Sequence, residues 1–374
     1  MPTPPPSPTF RAEHIGSLLR PPELLAARTA FEADGDPAKL RAAEDKAIRE
    51  VVRRQEALGL GPVTDGEFRR DTYSDSFTTS GLAGVAVTLT EEEGWRASAA
   101  HGNRMARRIP RVVGRIAWKG DENARDFAFL KSVTTATPKL TLPGPAYIHY
   151  RTGREHVSRE VYPDLEAFWA DLVAAYHAEL AALAKAGCDY VQLDETSLVK
   201  LGDPRARELL AARGDDWQKL LPRYVAAINA VVAGAPKGMR VAIHVCRSQD
   251  PSWQATASYE PIADAMFNGI NIGAYFLEWD TPRAGSFEPL KHLPKGKRVV
   301  LGLVSSRAKA LEDGDMLKRR IDEAARFAPL EQLGLSPHCG FSTSARDADP
   351  ELYEMQWQKL ARVVEVARAV WGEA

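Results

Sequence analysis

The chain has 374 residues, and its 49 lysines and arginines nearly balance 50 aspartates and glutamates. This balance excludes the broad basic surface by which proteins bind nucleic acid or anionic membranes. No apolar run approaches the roughly 18 residues that span a bilayer. Three cysteines are too few for a disulfide framework, and an odd number favours a reducing compartment. We therefore expect a soluble, cytoplasmic protein that binds neither nucleic acid nor membrane.

The N-terminal stretch MPTPPPSPTF contains five prolines and lacks the basic start and apolar core of a secretory signal. We expect residues 1–9 to form a disordered or polyproline-like leader. Residues 10–374 are assigned to one domain, because α/β barrels of this length are commonly single domains.

Helical and strand-like patterns then alternate along most of the chain. Helices are predicted at residues 37–58, 164–186, 216–232, 262–267, 315–327 and 349–371. The predicted strands lie in FRAEHIGS, PVTDGEF, PKLTLPGPAYIHY, YVQLDE, RVAIHVC, GINIGAYFLE, VVLGLV and GLSPHCG. Eight strands alternating with helices predict an α/β fold of the (β/α)8, or TIM barrel, type. The alternative, an open doubly wound sheet, is disfavoured because no Gly-rich phosphate fingerprint follows any strand.

Residues of about 80–136 interrupt this alternation between the second and third predicted strands. Two β-rich runs, GVAVTLTEEEGW and RIPRVVGRIAWKG, surround a polar middle. A segment of about 57 residues would bury only a marginal core by itself. We therefore interpret it as a β-rich insertion in the barrel, a hairpin or small sheet.

Polar, titratable or metal-binding residues end six of the eight predicted strands. They are Ser17, Asp65–Glu67, Asp194–Glu195, His244–Cys246, Glu278 and Cys339. In a (β/α)8 barrel the carboxyl ends of the strands meet at one face, which carries the active site. Solvent-exposed strand ends collect a few carboxylates in any barrel, but that explanation does not account for two of the three cysteines. The pattern predicts a functional site at this face.

A metal site is predicted at these strand ends. His244 and Cys246 are two residues apart on one strand, so their side chains point to the same side. Cys339 and Glu278 end other strands and can converge on the same point. One imidazole, two thiolates and a carboxylate suit Zn²⁺. His338 is an alternative ligand, which we leave out because adjacent strand residues point to opposite sides.

The sequence resembles the cobalamin-independent methionine synthase family, in particular its catalytic C-terminal half and its short single-barrel members. The motifs that carry the resemblance are HIGSLLRP, VTDGEFRRD, LPGP, VQLDE, IHVC, FLEW and SPHCGF. The resemblance implies that His244, Cys246, Glu278 and Cys339 bind a catalytic zinc. This family lies in the uroporphyrinogen decarboxylase/methionine synthase-like superfamily of barrels.

The resemblance also implies a binding site for homocysteine. Glu67 and Asp194 match the positions that hold its amino group, and Ile15 and Ser17 match those that receive its amino-acid end. A free thiol has a pKa of about 8.5, and coordination to zinc deprotonates it to the nucleophile. The implied activity is transfer of a methyl group from 5-methyltetrahydrofolate to homocysteine, which forms methionine.

The methyl-donor side departs from the family pattern. The family's tryptophan after the Gly-Pro turn and its Asp-Ile-His-Ser histidine are replaced here by YIHYRTG and LGLVSSRAK. His149, Tyr150 and Ser305 are the candidate donor-side residues. Methylcobalamin or another small donor is therefore an alternative to methylfolate. A zinc hydrolase is disfavoured because two thiolates make zinc a poorer Lewis acid, and a non-catalytic zinc barrel is the remaining alternative.

Overall fold

The computed structural model describes residues 10–90, 107–247, 255 and 258–374. The predicted Pro-rich leader, residues 1–9, lies outside these described residues. Within them, no helix is long and apolar enough to cross a membrane. The assignment of residues 10–374 to one domain remains a prediction.

Six parallel strands form most of the barrel wall. With strands numbered in chain order, their spatial order is β5 (Leu140–Pro143), β6 (Tyr190–Glu195), β7 (Arg240–Val245), β8 (Ala274–Glu278), β9 (Arg298–Val304) and β10 (Leu333–Pro337). A second parallel pair joins β1 (Pro62–Val63) to β4 (Thr137–Pro138), which leads directly into β5.

The N-terminal segment closes the barrel between β10 and β1. Ala12 forms a parallel bridge with Leu335 of β10, and the Leu18 N–H donates to the Gly66 carbonyl just after β1. This segment is the first of eight segments that form the barrel wall. It is followed by β1, the β4–β5 stretch and β6–β10. The predicted (β/α)8 barrel is therefore confirmed.

Helices cover the outside of the barrel, so its strands are buried on both faces. The helices are α1 (Pro22–Asp34), α2 (Pro37–Leu58), α3 (Glu122–Ser132), α4 (Tyr147–Thr152), α5 (Leu165–Lys185), α6 (Leu198–Leu201), α7 (Pro204–Ala212), α8 (Trp217–Ala233), α9 (Ala263–Phe267), α10 (Gly314–Ala324) and α11 (Pro350–Trp371). Six begin at aspartates that accept backbone N–H groups, namely Asp36, Asp164, Asp203, Asp216, Asp313 and Asp349. All six predicted helices are confirmed.

The predicted insertion is a β-hairpin. Strands β2 (Leu82–Thr90) and β3 (Arg107–Trp118) pair antiparallel and lie in the chain between β1 and the β4–β5 stretch, the second and third segments of the barrel wall. The Trp118 indole N–H donates to Glu179 Oε2 of α5 at 2.6 Å, which holds the hairpin against the barrel's outer helices. The remainder of the expected insertion differs, since α3 lies within it. Residues 91–106, the polar middle, lie outside the described residues.

Candidate metal centre and active site

Four predicted ligands converge at the carboxyl ends of β7, β8 and β10. Ligand atoms of His244, Cys246, Glu278 and Cys339 all lie within 4.8 Å of one another. The Nε2 atom of His244 lies 3.4 Å from the Cys339 Sγ atom, and the two cysteine Sγ atoms are 3.6 Å apart. We call these four residues the ligand group. The barrel brings together side chains that are up to 95 residues apart in the chain.

The backbone of β8 orients the His244 ring. His244 pairs in register with Phe276, and its Nδ1 atom lies 3.3 Å from the Phe276 carbonyl oxygen. Because a carbonyl can only accept, Nδ1 carries the proton and donates. The Nε2 atom faces the Cys339 Sγ atom. This is how ligand histidines are commonly oriented at metal sites.

Glu278 is fixed by hydrogen bonds through both its side chain and its backbone. Its Oε1 atom accepts the Arg247 backbone N–H at 2.7 Å, and its own N–H donates to the Tyr259 hydroxyl at 2.9 Å. Burial raises the pKa of Glu278 well above its usual range, and the nearby Cys246 adds to the rise. A buried carboxylate beside a thiolate is favourable only when a cation compensates their charge.

The pKa of Cys246 is shifted in the opposite direction, toward the charged form. The hydrogen bond with Cys339 lowers the pKa of Cys246 well below its usual range, although burial opposes this effect. Two sulfurs, one imidazole nitrogen and one carboxylate oxygen are the donor set that Zn²⁺ prefers. The residues present therefore fit a zinc ion.

The other candidate ligands lie outside the ligand group, although ligand atoms of His338, Asp280 and Glu278 lie within 4.8 Å of one another. The Nδ1 atom of His338 accepts the Ser306 backbone N–H at 3.0 Å and lies 3.4 Å from Asp280 Oδ2. Cys188 is buried beneath the barrel wall, where its thiol donates to the Tyr190 carbonyl and burial raises its pKa to about 12. Cys188 therefore serves core packing.

Glu67 stands in a strained turn after β1. Its φ is +60°, a left-handed conformation that is uncommon for a residue with a Cβ. Its Oε1 atom accepts the Thr141 hydroxyl at 2.7 Å and lies 3.6 Å from the Arg70 guanidinium. A Cβ added to Gly16 would lie 3.1 Å from this same Oε1 atom and 2.7 Å from Thr141. The glycine is therefore what lets the N-terminal segment approach the carboxylate.

Asp194 lies next to the ligand group on the neighbouring strand. It pairs in register with His244, and the Gln192 amide donates to its Oδ1 atom at 2.7 Å. Burial raises the pKa of Asp194 to about 7, with Glu67 adding to the rise and His244 opposing it. A buried carboxyl group beside a second carboxylate is suited to bind a cation such as an ammonium group.

The N-terminal segment connects the two carboxylates to the ligand group. The Gln192 amide that holds Asp194 also donates to the Ile15 carbonyl at 2.9 Å. The Ser17 hydroxyl donates to the Ser342 carbonyl at 2.8 Å, and a Cβ on Gly340 would lie 2.0 Å from that hydroxyl oxygen. Because Gly340 follows Cys339, Ser17 lies at the edge of the ligand group.

The three candidate donor-side residues lie in different surroundings. Ser305 lines a pocket together with Glu278 and His338. Tyr150 is buried, with the Lys200 ammonium 5.5 Å from its ring centre. Burial lowers the pKa of Lys200 to about 8, although Cys246 opposes this effect.

His149 lies in an aromatic cluster behind this face. Its Nδ1 atom is 2.9 Å from the Tyr224 hydroxyl, and its ring packs against Phe168 and Trp169. Burial lowers the pKa of His149 to about 4, so the ring is neutral at physiological pH. These contacts are those of a core histidine.

Three residues that support the carboxylates were not predicted as site residues. Arg70 donates to both the hydroxyl and the carbonyl of Thr141, which in turn holds Glu67. Gln192 was detectable, since it precedes Asp194 by two residues and therefore shares its face of β6. The contact between Thr141 and Glu67 spans 74 residues and carries no local signal.

The structure defines a (β/α)8-barrel protein with four candidate metal ligands and two neighbouring carboxylates at the carboxyl ends of its strands. Residues 10–368 match the family described as the catalytic domain of cobalamin-independent synthase. The chain belongs to this family and is a methyltransferase-like enzyme, which confirms the resemblance drawn from its motifs.

Similar proteins share nearly the full length of the chain. The uncharacterized protein YxjH of Bacillus subtilis is 36% identical over 97% of this chain and 95% of its own. Methionine synthase of Pyrococcus abyssi is 26% identical over 96% of this chain and 92% of its own. A Listeria monocytogenes structure, described as a candidate vitamin-B12-independent methionine synthase, is 31% identical with a TM-score of 0.76, covering 98% of this chain and 99% of its own.

Proposed function

We propose that this protein is a zinc-dependent S-methyltransferase that transfers a methyl group from 5-methyltetrahydrofolate to homocysteine to form methionine. The observation that carries the proposal is the ligand group lying directly beside the buried carboxylates Asp194 and Glu67. The methionine synthase of Pyrococcus abyssi, similar over most of its length, supports the same reaction class. The substrates are small molecules, and thiol ligands are suited to the reducing cytoplasm.

The ligand group would hold the zinc ion. Zinc bound there supplies deprotonation of a coordinated thiol at neutral pH. Glu278 is the most exchangeable of the four ligands, because it is the only carboxylate and the Arg247 N–H is already in place to stabilise it when it is released. An exchangeable position distinguishes a catalytic zinc site from a structural one.

The carboxylates bind and orient the amino acid. Asp194 and Glu67 accept hydrogen bonds from the substrate ammonium, while Gln192 and Thr141 fix their orientation. With the ammonium held there, the short side chain of homocysteine directs its sulfur toward His244 on the adjacent strand. Ile15 and Ser17 receive the amino-acid end. Holding the reacting sulfur in one place is the main catalytic contribution of these residues.

The donor side determines which methyl compound is used. A methylfolate leaves through a basic nitrogen that needs a proton, whereas methylcobalamin leaves without one. His149 is neutral and lies in the aromatic cluster, so its contacts add no support for a role as the acid. We expect slow turnover with methyltetrahydrofolate alone, and methylcobalamin is the alternative donor.

The proposal is tested by methionine formation with purified, zinc-loaded protein. Homocysteine is combined with methyltetrahydrofolate, with its triglutamate form and with methylcobalamin, and the product is quantified for each. Asp194→Asn serves as the matched variant with weakened homocysteine binding. Methionine formed by the wild type and reduced in this variant supports the proposal. No methionine with any donor, in protein that holds stoichiometric zinc, would overturn it.

A further inference from the structure

A column of buried polar side chains runs through the barrel interior toward Asp194. On β6, Tyr190, Gln192 and Asp194 alternate along the strand and therefore share one face. The buried Lys139 ammonium lies 4.7 Å from the ring centre of Phe276 on β8, which places it inside the barrel. The interior of a (β/α)8 barrel is ordinarily filled by branched apolar side chains. Burying polar groups is costly, so packing alone does not account for this column.

Lys139 determines which way the Gln192 amide points. Its Nζ atom lies 3.1 Å from Gln192 Oε1 and 3.4 Å from Glu13 Oε2, and the Tyr190 hydroxyl donates to the same carboxylate at 2.9 Å. An ammonium has three donors and no acceptor, so the oxygen of the amide must face it. The reversed amide would direct its NH2 group at the ammonium and its oxygen at the Asp194 carboxylate, and both contacts would be repulsive.

The NH2 group of Gln192 then reaches two parts of the proposed amino-acid site. It donates to Asp194 Oδ1 at 2.7 Å and to the Ile15 carbonyl at 2.9 Å. Because the amide is fixed at its oxygen, it holds both acceptors in one arrangement. The Asp194 carboxylate is therefore oriented before any ligand arrives, and an oriented group loses less conformational entropy when it binds.

We propose that Gln192 is a positioning residue for the substrate amino group, with its amide held in place by Lys139. The inference rests on the proposed function, in which Asp194 binds the ammonium of homocysteine. Gln192 and Lys139 act through Asp194 and do not touch the substrate themselves. Their loss should therefore weaken the recognition of the amino group and leave zinc and the substrate sulfur unaffected.

Two thiols separate this effect from a general loss of structure. Homocysteine carries the amino group, whereas 4-mercaptobutyrate has the same thiol, carbon chain and carboxylate without it. The amino-group preference is the Kd of 4-mercaptobutyrate divided by the Kd of homocysteine, measured by calorimetric titration of zinc-loaded protein. The main variant is Gln192→Met, which keeps the length of the side chain and removes its hydrogen bonds. The matched control is Gln332→Met, because Gln332 is also buried and also donates to two acceptors, the Pro294 and Lys297 carbonyls.

We expect the amino-group preference to fall about tenfold in Gln192→Met and to change less than about twofold in Gln332→Met, with equal zinc content in both. Because Gln192 acts through Asp194, adding Gln192→Met to Asp194→Asn should lower the preference by less than about a further twofold. Lys139→Met combined with Glu13→Gln removes both charges together, so neither is left buried without its partner. This double variant releases the amide and should also lower the preference, by about fivefold.

Wild-type preference in Gln192→Met, or an equal loss in Gln192→Met and Gln332→Met, would overturn the inference and leave the proposed homocysteine site in place. Losses that add fully to that of Asp194→Asn would also overturn it, because Gln192 would then act elsewhere than on Asp194. Wild-type preference in the double variant would show that Lys139 does not hold the amide. A wild type that binds both thiols equally would instead reject the proposed homocysteine site, on which the inference depends.

Discussion

Two clusters of buried charged residues lie in this barrel, and they differ in how their charges are compensated. Within the barrel, the Lys139 ammonium lies 3.4 Å from Glu13 Oε2 and 3.1 Å from Gln192 Oε1. The Tyr190 hydroxyl donates to Glu13 as well, at 2.9 Å. At the catalytic face, the ligand group instead presents nitrogen, sulfur and oxygen atoms to one another within 4.8 Å.

Buried charge has a different role in the inner cluster around Lys139 and Glu13 than in the ligand group. The inner cluster contains both signs of charge and its own hydrogen-bond donors, so it is a closed network that fixes the barrel interior. In the ligand group, burial raises the pKa of Glu278 and the nearby Cys246 adds to the rise, while Arg247 opposes it. Gln192 joins the two, since its oxygen accepts from Lys139 and its nitrogen donates to Asp194. Through Gln192, the inner cluster therefore positions the Asp194 side chain beside the ligand group.

The largest expected effect is the loss of zinc from the ligand group. Cys246→Ser and Cys339→Ser should each lose the metal and all methyl transfer, because serine is a poor zinc ligand. The fold should persist, because the barrel has its own core. Zinc content by metal analysis and secondary structure by circular dichroism check both points.

Cys188→Ser is the control for these two variants, because Cys188 is buried away from the ligand group and should leave zinc in place. Wild-type zinc content in Cys339→Ser would exclude that residue from the site. Loss of zinc from Cys188→Ser in folded protein would show that the assignment of ligands is wrong.

The second effect is on stability and concerns the inner cluster. Lys139→Met leaves the Glu13 carboxylate buried without its cation, which should reduce the free energy of unfolding by about 3–5 kcal/mol. Lys39→Met removes an exposed ion pair and should cost less than about 1 kcal/mol. Urea unfolding of the zinc-free proteins measures both. Equal losses in the two variants would contradict the view that the inner network is closed and structural.

The third effect is on homocysteine use. Asp194→Asn and Glu67→Gln each weaken one charged hydrogen bond of about 1.5–3 kcal/mol. The value of kcat/KM for homocysteine should then fall by about 10- to 150-fold with zinc retained. Steady-state kinetics and metal analysis on the same samples check this expectation. If both variants lose zinc, these carboxylates support the ligands rather than bind the substrate.

The sequence predicted the ligand group because its signals are local. His244 and Cys246 share a strand face, and each of the four residues ends a strand with a clear apolar pattern. The fold was predictable for the same reason, since strand and helix periods alternate in chain order. The roles of these residues in catalysis remain proposals.

Other features depend on contacts that no local pattern encodes. Helix α1 was not predicted because Leu24 is its only buried residue, so it lacks an apolar stripe. The predicted third strand extended into α4, although Pro145 cannot donate to a strand ladder and marks the end of β5. The pocket lined by Glu278, Ser305 and His338 escaped prediction because its residues come from separate loops that only the closed barrel brings together.

The smallest effect is on the pH dependence of stability and concerns His149. Burial holds the pKa of His149 at about 4 in the folded protein, below the value of about 6.5 in the unfolded chain. The unfolded state therefore binds more protons between these values, and stability present above pH 6.5 is lost as the pH falls toward 4. His149 alone should contribute about 1.4 kcal/mol of this loss per pH unit. Urea unfolding of zinc-free wild type and His149→Gln at pH 7, 6 and 5 measures the difference in slope, and metal release cannot contribute. Parallel slopes would show that His149 takes up a proton as readily in the folded protein as in the unfolded chain, which would restore it as a candidate acid for the methyl-donor side.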